Sequence, residues 1–197
     1  SHVGGLVGYA WNGDITTCWS TAAVKGDGEA AGGFAGMSSD WKITSCWASG
    51  DVEGNSYVGG FVGRPWGSVT HCWASGTVQG HTYVGGFAGI GSDSIRFSYS
   101  VGKVSGDEGV GGFTPGGLPY LCYWDMQTSG IATGGGRGRT TVQMKMATTF
   151  PGWGCGSNWV IADGVDYPHL VWENAGGNLL VDLPRTYGGG TGSQDDP

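Results

Sequence analysis

Val58-Gly59-Gly60-Phe61-Val62-Gly63 is one of five copies of the same short phrase. The others are Val3-Gly4-Gly5-Leu6-Val7-Gly8, Ala31-Gly32-Gly33-Phe34-Ala35-Gly36, Val84-Gly85-Gly86-Phe87-Ala88-Gly89 and Val110-Gly111-Gly112-Phe113, and their first residues lie 28, 27, 26 and 26 positions apart. A period that steady marks stacked, nearly identical units, none of which can bury its apolar side chains alone. In such a chain, function is to be sought in rows of side chains rather than in one constellation.

A second set of matches lies between the glycine phrases: Ile15-Thr16-Thr17-Cys18-Trp19-Ser20, Ile43-Thr44-Ser45-Cys46-Trp47-Ala48, Val69-Thr70-His71-Cys72-Trp73-Ala74 and Ile95-Arg96-Phe97-Ser98-Tyr99-Ser100. Alternation along a strand assigns their faces. One parity holds Cys46, Ala48, Gly50 and Val52, all small or apolar; the other holds Trp47, Ser49, Asp51 and Glu53. Unpaired carboxylates are too costly to bury, so the Cys row points inward and the Trp row outward.

Each unit then reads as one coil of three short strands: the Gly-Gly-Phe segment, the segment from Ile through Cys to Val, bent after Ile, and a brief third face. Four internal rows result: Val3/Ala31/Val58/Val84/Val110, Leu6/Phe34/Phe61/Phe87/Phe113, Ile15/Ile43/Val69/Ile95 and Val24/Val52/Val78/Val104. Stacking coils at about 4.8 Å hides these rows and pairs the strand backbones, which gives an all-β fold, a parallel β-helix of about five coils and roughly 24 Å. Right-handedness is the expectation for parallel crossovers. Paired glycines mark corners that need positive φ or close backbone approach.

Composition agrees. At 197 residues one domain is expected, and 39% hydrophobic content suffices for a core. The 43 glycines follow no Gly-X-Y register, which excludes a collagen. Net charge is −7 and the nine Lys and Arg are scattered, so neither nucleic acid nor an anionic membrane is an expected partner. No apolar stretch approaches the roughly 20 residues that cross a bilayer. The chain opens inside a repeat, which reads as a piece of a longer protein.

Past Tyr123 the repeat decays. Thr140-Thr141-Val142-Gln143 has capping-box spacing and predicts a short helix running into Met144-Lys145-Met146-Ala147. Trp159-Val160-Ile161 and Tyr167-Pro168-His169-Leu170-Val171-Trp172 flank Asp163-Gly164, a hairpin signature. The division expected is repeats over 1–122, a capping region over 123–172 that shields the open end of the solenoid, and a linker or tail over 173–197.

The phrase Val-Gly-Gly-Phe-Val-Gly followed by Ile-Thr-x-Cys-Trp-Ala-Ser-Gly-x-Val-x-Gly resembles the GLUG repeat of large bacterial surface and secreted proteins, including adhesin-like chains and the amino-terminal region of certain immunoglobulin A peptidases. The resemblance runs from Val3 to about Trp172, taking in Cys122-Tyr123-Trp124-Asp125 and Asp166-Tyr167-Pro168-His169-Leu170, similar to the ending such arrays carry. It implies a bacterial cell-surface or extracellular location and no catalytic residues. The tail Tyr187-Gly188-Gly189-Gly190-Thr191-Gly192 resembles the lead-in to another array, which implies other modules of the same polypeptide as partners. Ser98 departs from the pattern by replacing the row cysteine, and Cys155 stands where a non-thiol residue is expected.

Cys18, Cys46 and Cys72 recur one coil apart, a separation a disulfide can span. Reduced thiols serving as small buried groups are the simpler reading, since Ser98 continues the row without sulfur. Cys122 with Cys155 is the better placed disulfide pair, tying cap to last coil. No Cys-x-x-Cys or paired His has zinc spacing, so neither metal nor cofactor is expected. The acidic corners Gly26-Asp27-Gly28-Glu29 and Gly106-Asp107-Glu108-Gly109 lack the Gly-Gly-x-Gly-x-Asp calcium register and read as polar turns. Gly134-Gly135-Gly136-Arg137-Gly138-Arg139 lacks the Lys-Ser/Thr of a phosphate loop.

Polysaccharide lyases and glycoside hydrolases occur on β-helices, but fold alone assigns no chemistry. A glycosidase needs two carboxyl groups facing each other across a bond, whereas Asp51 and Glu53 share the outer face of one strand. His71, His81 and His169 have no evident nucleophile partner. The chain is thus expected to be non-catalytic, a structural or adhesive module. The alternative is a carbohydrate-binding module using the outward row Trp19, Trp47, Trp73, Tyr99 and Tyr123, an aromatic strip of roughly 20 Å against which pyranose C–H faces or a second copy would pack. Loops carrying Trp11, Trp41 and Trp66 are the segments expected to fold over that strip.

Overall fold

A computed structural model describes residues 1–154, 156 and 158–181. It is a parallel β-solenoid of about five turns, built of four parallel sheets. The first, the glycine sheet, takes His2–Gly4, Ala30–Gly32, Ser56–Gly59, Thr82–Gly85 and Glu108–Gly111. The long sheet takes Val7–Thr16, Ala35–Thr44, Val62–Thr70 and Ile95–Arg96. The ladder sheet takes Trp19–Ser20, Trp47–Ala48, Trp73–Ala74, Tyr99–Ser100, Tyr123–Asp125 and Arg137–Arg139, and the valine sheet Val24–Gly26, Val52–Gly54, Val78–Gln79 and Val104–Ser105.

A full coil therefore has four faces, one more than the spacing predicts. The bend expected after Ile forms just before the Cys row, and the further division separates the Trp47–Ala48 strand from Val52–Gly54. Thr17, Ser45, His71, Phe97 and Leu121 each adopt left-handed backbone, with φ between 49° and 56°, and turn the chain from the long sheet into the ladder sheet. Left-handed backbone costs a non-glycine residue free energy. Here the stacked coils hold it at the same point in each turn, and the His71 and Phe97 rings stack at 5.2 Å.

The paired glycines act by close approach and not by positive φ. None of Gly32, Gly33, Gly59, Gly60, Gly85 or Gly86 has left-handed backbone. A Cβ on Gly33 would collide with the Gly60 carbonyl, one on Gly60 with that of Gly86, and one on Gly86 with that of Gly112. Only glycine lets the coils come this near at the corner between the glycine and long sheets.

The core rows stay in register although the period drifts. Val3 pairs with Ala31, Val58 with Val84, Ile15 with Ile43, Val69 with Ile95, and Val52 with Val78. Pairing of the second and third long strands shifts between Trp66 and Ser68, opposite Asp40, which is left-handed at φ 54°. The extra residue of the longer coil is thus held in an outward bulge. Phe34, Phe61, Phe87 and Phe113 stack through the centre with ring centroids 4.7, 5.0 and 4.7 Å apart.

The two ends differ. At the C-terminal end Arg137–Arg139 adds a last parallel strand to Tyr123–Asp125. Trp124 lies across Gly112, joins the central core, and donates its indole N–H to Ile131 O at 3.0 Å. At the N-terminal end Leu6 is exposed, and Val3, Ile15 and Cys18 are only half-buried.

Met126, packed on the central core, and Ile131, packed on the valine rows, help close this end as expected of a cap, and the later C-terminal segment lies elsewhere. Met126–Ser129 and Thr141–Met144 are one-turn helices, the second closed by the expected Thr140/Gln143 capping box. The expected hairpin forms from Trp159–Ile161 and His169–Leu170, and a third antiparallel strand, Asn178–Leu179, joins its other edge. Leu180 is buried behind it, so part of the stretch read as linker packs into the domain. This unit lies along the flank of the solenoid, on the ladder sheet.

Candidate functional site: an aromatic ladder and the strap that covers it

The ladder exists. Trp19 pairs in register with Trp47, Trp47 with Trp73, Trp73 with Tyr99, and Tyr99 with Tyr123. Alternation puts these rings outside the coils, because Ala48, Ala74 and Ser100 fill the inward positions. Successive rings stack at 6.1, 5.0 and 6.0 Å from Trp19 to Tyr99.

Being outside the coils does not leave the rings in water. Tyr99 and Tyr123 are buried, Trp47 and Trp73 are partly covered, and only Trp19, at 54%, is open. The cover is made by the described residues of the chain's own segment 145–180, the strap. The loops expected to cover the ladder do not do so, because Trp11, Trp41 and Trp66 lie on long-sheet strands of another face. Tyr99 packs against Trp153, Trp159 and Tyr167 and donates its hydroxyl to Pro168 O at 2.6 Å. Tyr123 meets Phe150 and Trp153 edge-on, while Trp153 donates to Leu121 O at 2.9 Å. Trp172 leans on Trp19 at 5.8 Å and donates to Ser45 O at 2.9 Å.

Charged groups fix the strap in place. Glu173 accepts the Trp73 indole N–H at 2.8 Å and the Leu170 N–H at 2.9 Å, and its other oxygen lies 3.0 Å from His169 Nδ1. Glu173 and then Asp166 raise the His169 pKa against the opposing effect of burial. Buried Asp125 caps the first short helix through Gln127 N and Thr128 N and accepts the Tyr167 hydroxyl at 2.7 Å. Burial drives the phenols of Tyr99, Tyr123 and Tyr167 upward, so they stay protonated, and Tyr99 and Tyr167 serve as donors. A polysaccharide laid along all five rings has no access to Tyr99 and Tyr123 in this fold.

The remaining sequence candidates sit apart from one another. Glu53 pairs with Lys25 at 2.8 Å on the surface, and Asp51 accepts the Thr77 N–H. His81 lies 2.7 Å from Asp107, and His71 is inside the stacked corner with its pKa lowered by burial. No group of three His, Cys, Asp or Glu side chains suited to a metal occurs among the described residues. Cys18, Cys46, Cys72 and Cys122 are free thiols, while Cys155 lies outside the described residues.

A second aromatic face went unrecognised in the sequence. Along the outer surface of the long sheet, Tyr9, Met37 and Arg64 form one row and Trp11, Ser39 and Trp66 the next. Arg64 is held between the Tyr57 and Trp66 rings, 4.5 and 5.0 Å from their centroids, and pairs with Glu29. The available signal was the outward parity of Tyr9 and Trp11 flanking buried Ala10, which a loop assignment obscured.

A family model described as the GLUG motif matches residues 1–25 and 54–79. No curated protein and no solved structure matches the chain. Each matched segment is one coil, from the approach to the glycine sheet through to the valine sheet, and the coils between carry the same rows in register. The chain is a β-solenoid that carries the GLUG motif at residues 1–25 and 54–79.

Proposed function

We propose that this chain is a non-catalytic structural module: a stiff segment that spaces or displays other modules of a bacterial cell-surface or secreted protein, with adhesion carried by the assembled rod. The observation that supports this reading is the reach of the strap. It touches Trp19 and Ser45 through Trp172, Trp73 through Glu173, Tyr99 through Pro168, and Tyr123 through Phe150. Those are the first, second, third, fourth and fifth coils. In an ordinary solenoid each coil contacts only its neighbours, and unfolding peels from an end. A strap joined to every coil makes loss of one coil depend on loss of all, as a spacer under tension requires.

Single-molecule pulling between the two ends tests this. One rip that releases most of the solenoid together is expected. A staircase of small, low-force steps, each about one coil long, would show that the strap carries no load and would remove the reading.

A further inference from the structure

We infer that the outer face of the long sheet is a carbohydrate-binding platform that takes neutral polysaccharide, with Trp11, Trp66 and Tyr9 as its stacking surfaces and the Arg64–Glu29 pair as its hydroxyl-binding group. This goes beyond the spacer reading and stands independently of it. Trp11 and Trp66 are 71% and 58% exposed and lie on the first and third long strands, with Ser39 between them in register. Two strand spacings put their backbones about 9.6 Å apart, a span on the scale of two sugar residues. The residue between the two indoles in that row, Ser39, is small. Beside it, His2, Tyr9, Glu29, Met37 and Arg64 line a groove of about 380 Å³.

The chemistry of this groove is mixed in the way sugars require. Aromatic faces meet pyranose C–H surfaces, and a fixed carboxylate–guanidinium pair offers acceptors and donors to neighbouring hydroxyls. Arg64 is already positioned by Tyr57, Trp66 and Glu29, which reduces the ordering cost on binding. Its Nε–H is buried without a partner. Glu29 balances Arg64, and the chain carries a net charge of −7, so a polyanionic glycan is repelled where a neutral one is not. The platform is also free of the strap, which lies over the ladder sheet.

Affinity electrophoresis in native gels containing arabinoxylan, mixed-linkage β-glucan, galactomannan or, as the anionic comparator, heparin tests the assignment. At least one neutral polysaccharide is expected to retard the chain and heparin is not. Trp11→Ala with Trp66→Ala weakens that retardation by about tenfold or more, and Glu29→Gln weakens it too, while Trp19→Ala on the ladder face leaves it unchanged. These side chains are exposed, and circular dichroism checks that the variants keep the fold. No retardation by any neutral polymer, retardation that survives the double substitution, or equal loss in Trp19→Ala would overturn the platform. None of these results bears on the pulling experiment.

Discussion

The Trp73 indole donates to the Glu173 carboxylate at 2.8 Å across 100 residues of sequence. The same Glu173 oxygen accepts the Leu170 N–H, and its second oxygen faces His169. One partly buried carboxylate thus joins the third coil, the strap backbone and a titratable ring. Glu173→Ala leaves these donors without their acceptor and is expected to lower stability by about 2 kcal/mol. Glu173→Gln, which keeps an acceptor oxygen but no charge, costs less. Urea unfolding checks both, and an unchanged midpoint in Glu173→Ala would show that the strap is only resting on the ladder.

Phe61 sits between Phe34 and Phe87 in the central stack and is fully buried. Phe61→Ala opens a cavity that rigid strands on every side cannot close, so a loss of about 3 to 5 kcal/mol is expected. Trp66→Ala on the exposed face serves as the comparison and is expected to change stability by less than about 1 kcal/mol. Equal effects from the two substitutions would mean that the phenylalanine column is not the core.

What the sequence revealed and what it hid follow from the reach of the interactions. Rows such as Phe34/Phe61/Phe87 are visible because stacking partners recur at a fixed offset, and a core position admits few residue types. The bend after Ile was legible, but the backbone conformation that makes it was not. Its left-handed backbone is carried by Thr17, Ser45, His71, Phe97 and Leu121, none of which is glycine or asparagine. The strap was hidden for another reason: parity places Trp47 and Trp73 outside the coil, but parity does not say which later segment will lie on them. Trp172 reaches Ser45 over 127 residues, a pairing with no periodic signature. The clustering of Trp153, Trp159, Tyr167 and Trp172 in a short C-terminal stretch was the one available hint, and it reads equally well as a core of its own.

The cysteine column is expected to react from one end only. Cys46, Cys72 and Cys122 are fully buried, and because burial pushes the Cys18 thiol upward as it does those of Cys72 and Cys122, access is what separates Cys18 from the rest. Cys18 is half-buried at the open coil, with its Sγ donating to Thr16 O at 3.2 Å. A thiol must be both ionised and reachable to be alkylated. Native-state alkylation followed by peptide mapping should therefore label Cys18 first and leave Cys46, Cys72 and Cys122 until the chain is unfolded. Labelling of Cys72 as fast as Cys18 would contradict the close stacking of the coils.

The strap is expected to loosen as pH rises. The carboxylates facing His169 are Glu173 and Asp166, and the edge of the Trp73 ring lies against it at 6.2 Å. The Glu173 hydrogen bond, with charge from Glu173 and Asp166, holds the imidazole pKa above its usual value of 6.5, and burial only partly offsets this. A group whose pKa is higher in the folded chain stabilises the fold fully below its unfolded pKa, and that contribution is lost as pH climbs through the folded value. The window therefore opens near pH 6.5 and extends upward. Between about pH 6 and pH 8 the unfolding midpoint of the native chain should fall relative to that of His169→Gln, which cannot be charged, while buried His71, with its lowered pKa, acts in the opposite sense in both chains. Hydrogen exchange localises the change: protection of Leu170 N–H, which is bonded to Glu173, should drop over the same range while that of Phe61 N–H, bonded to Phe87 O, stays constant. A midpoint that rises with pH relative to that of His169→Gln, or identical slopes in the two chains, would show that the His169–Glu173 contact does not hold the strap.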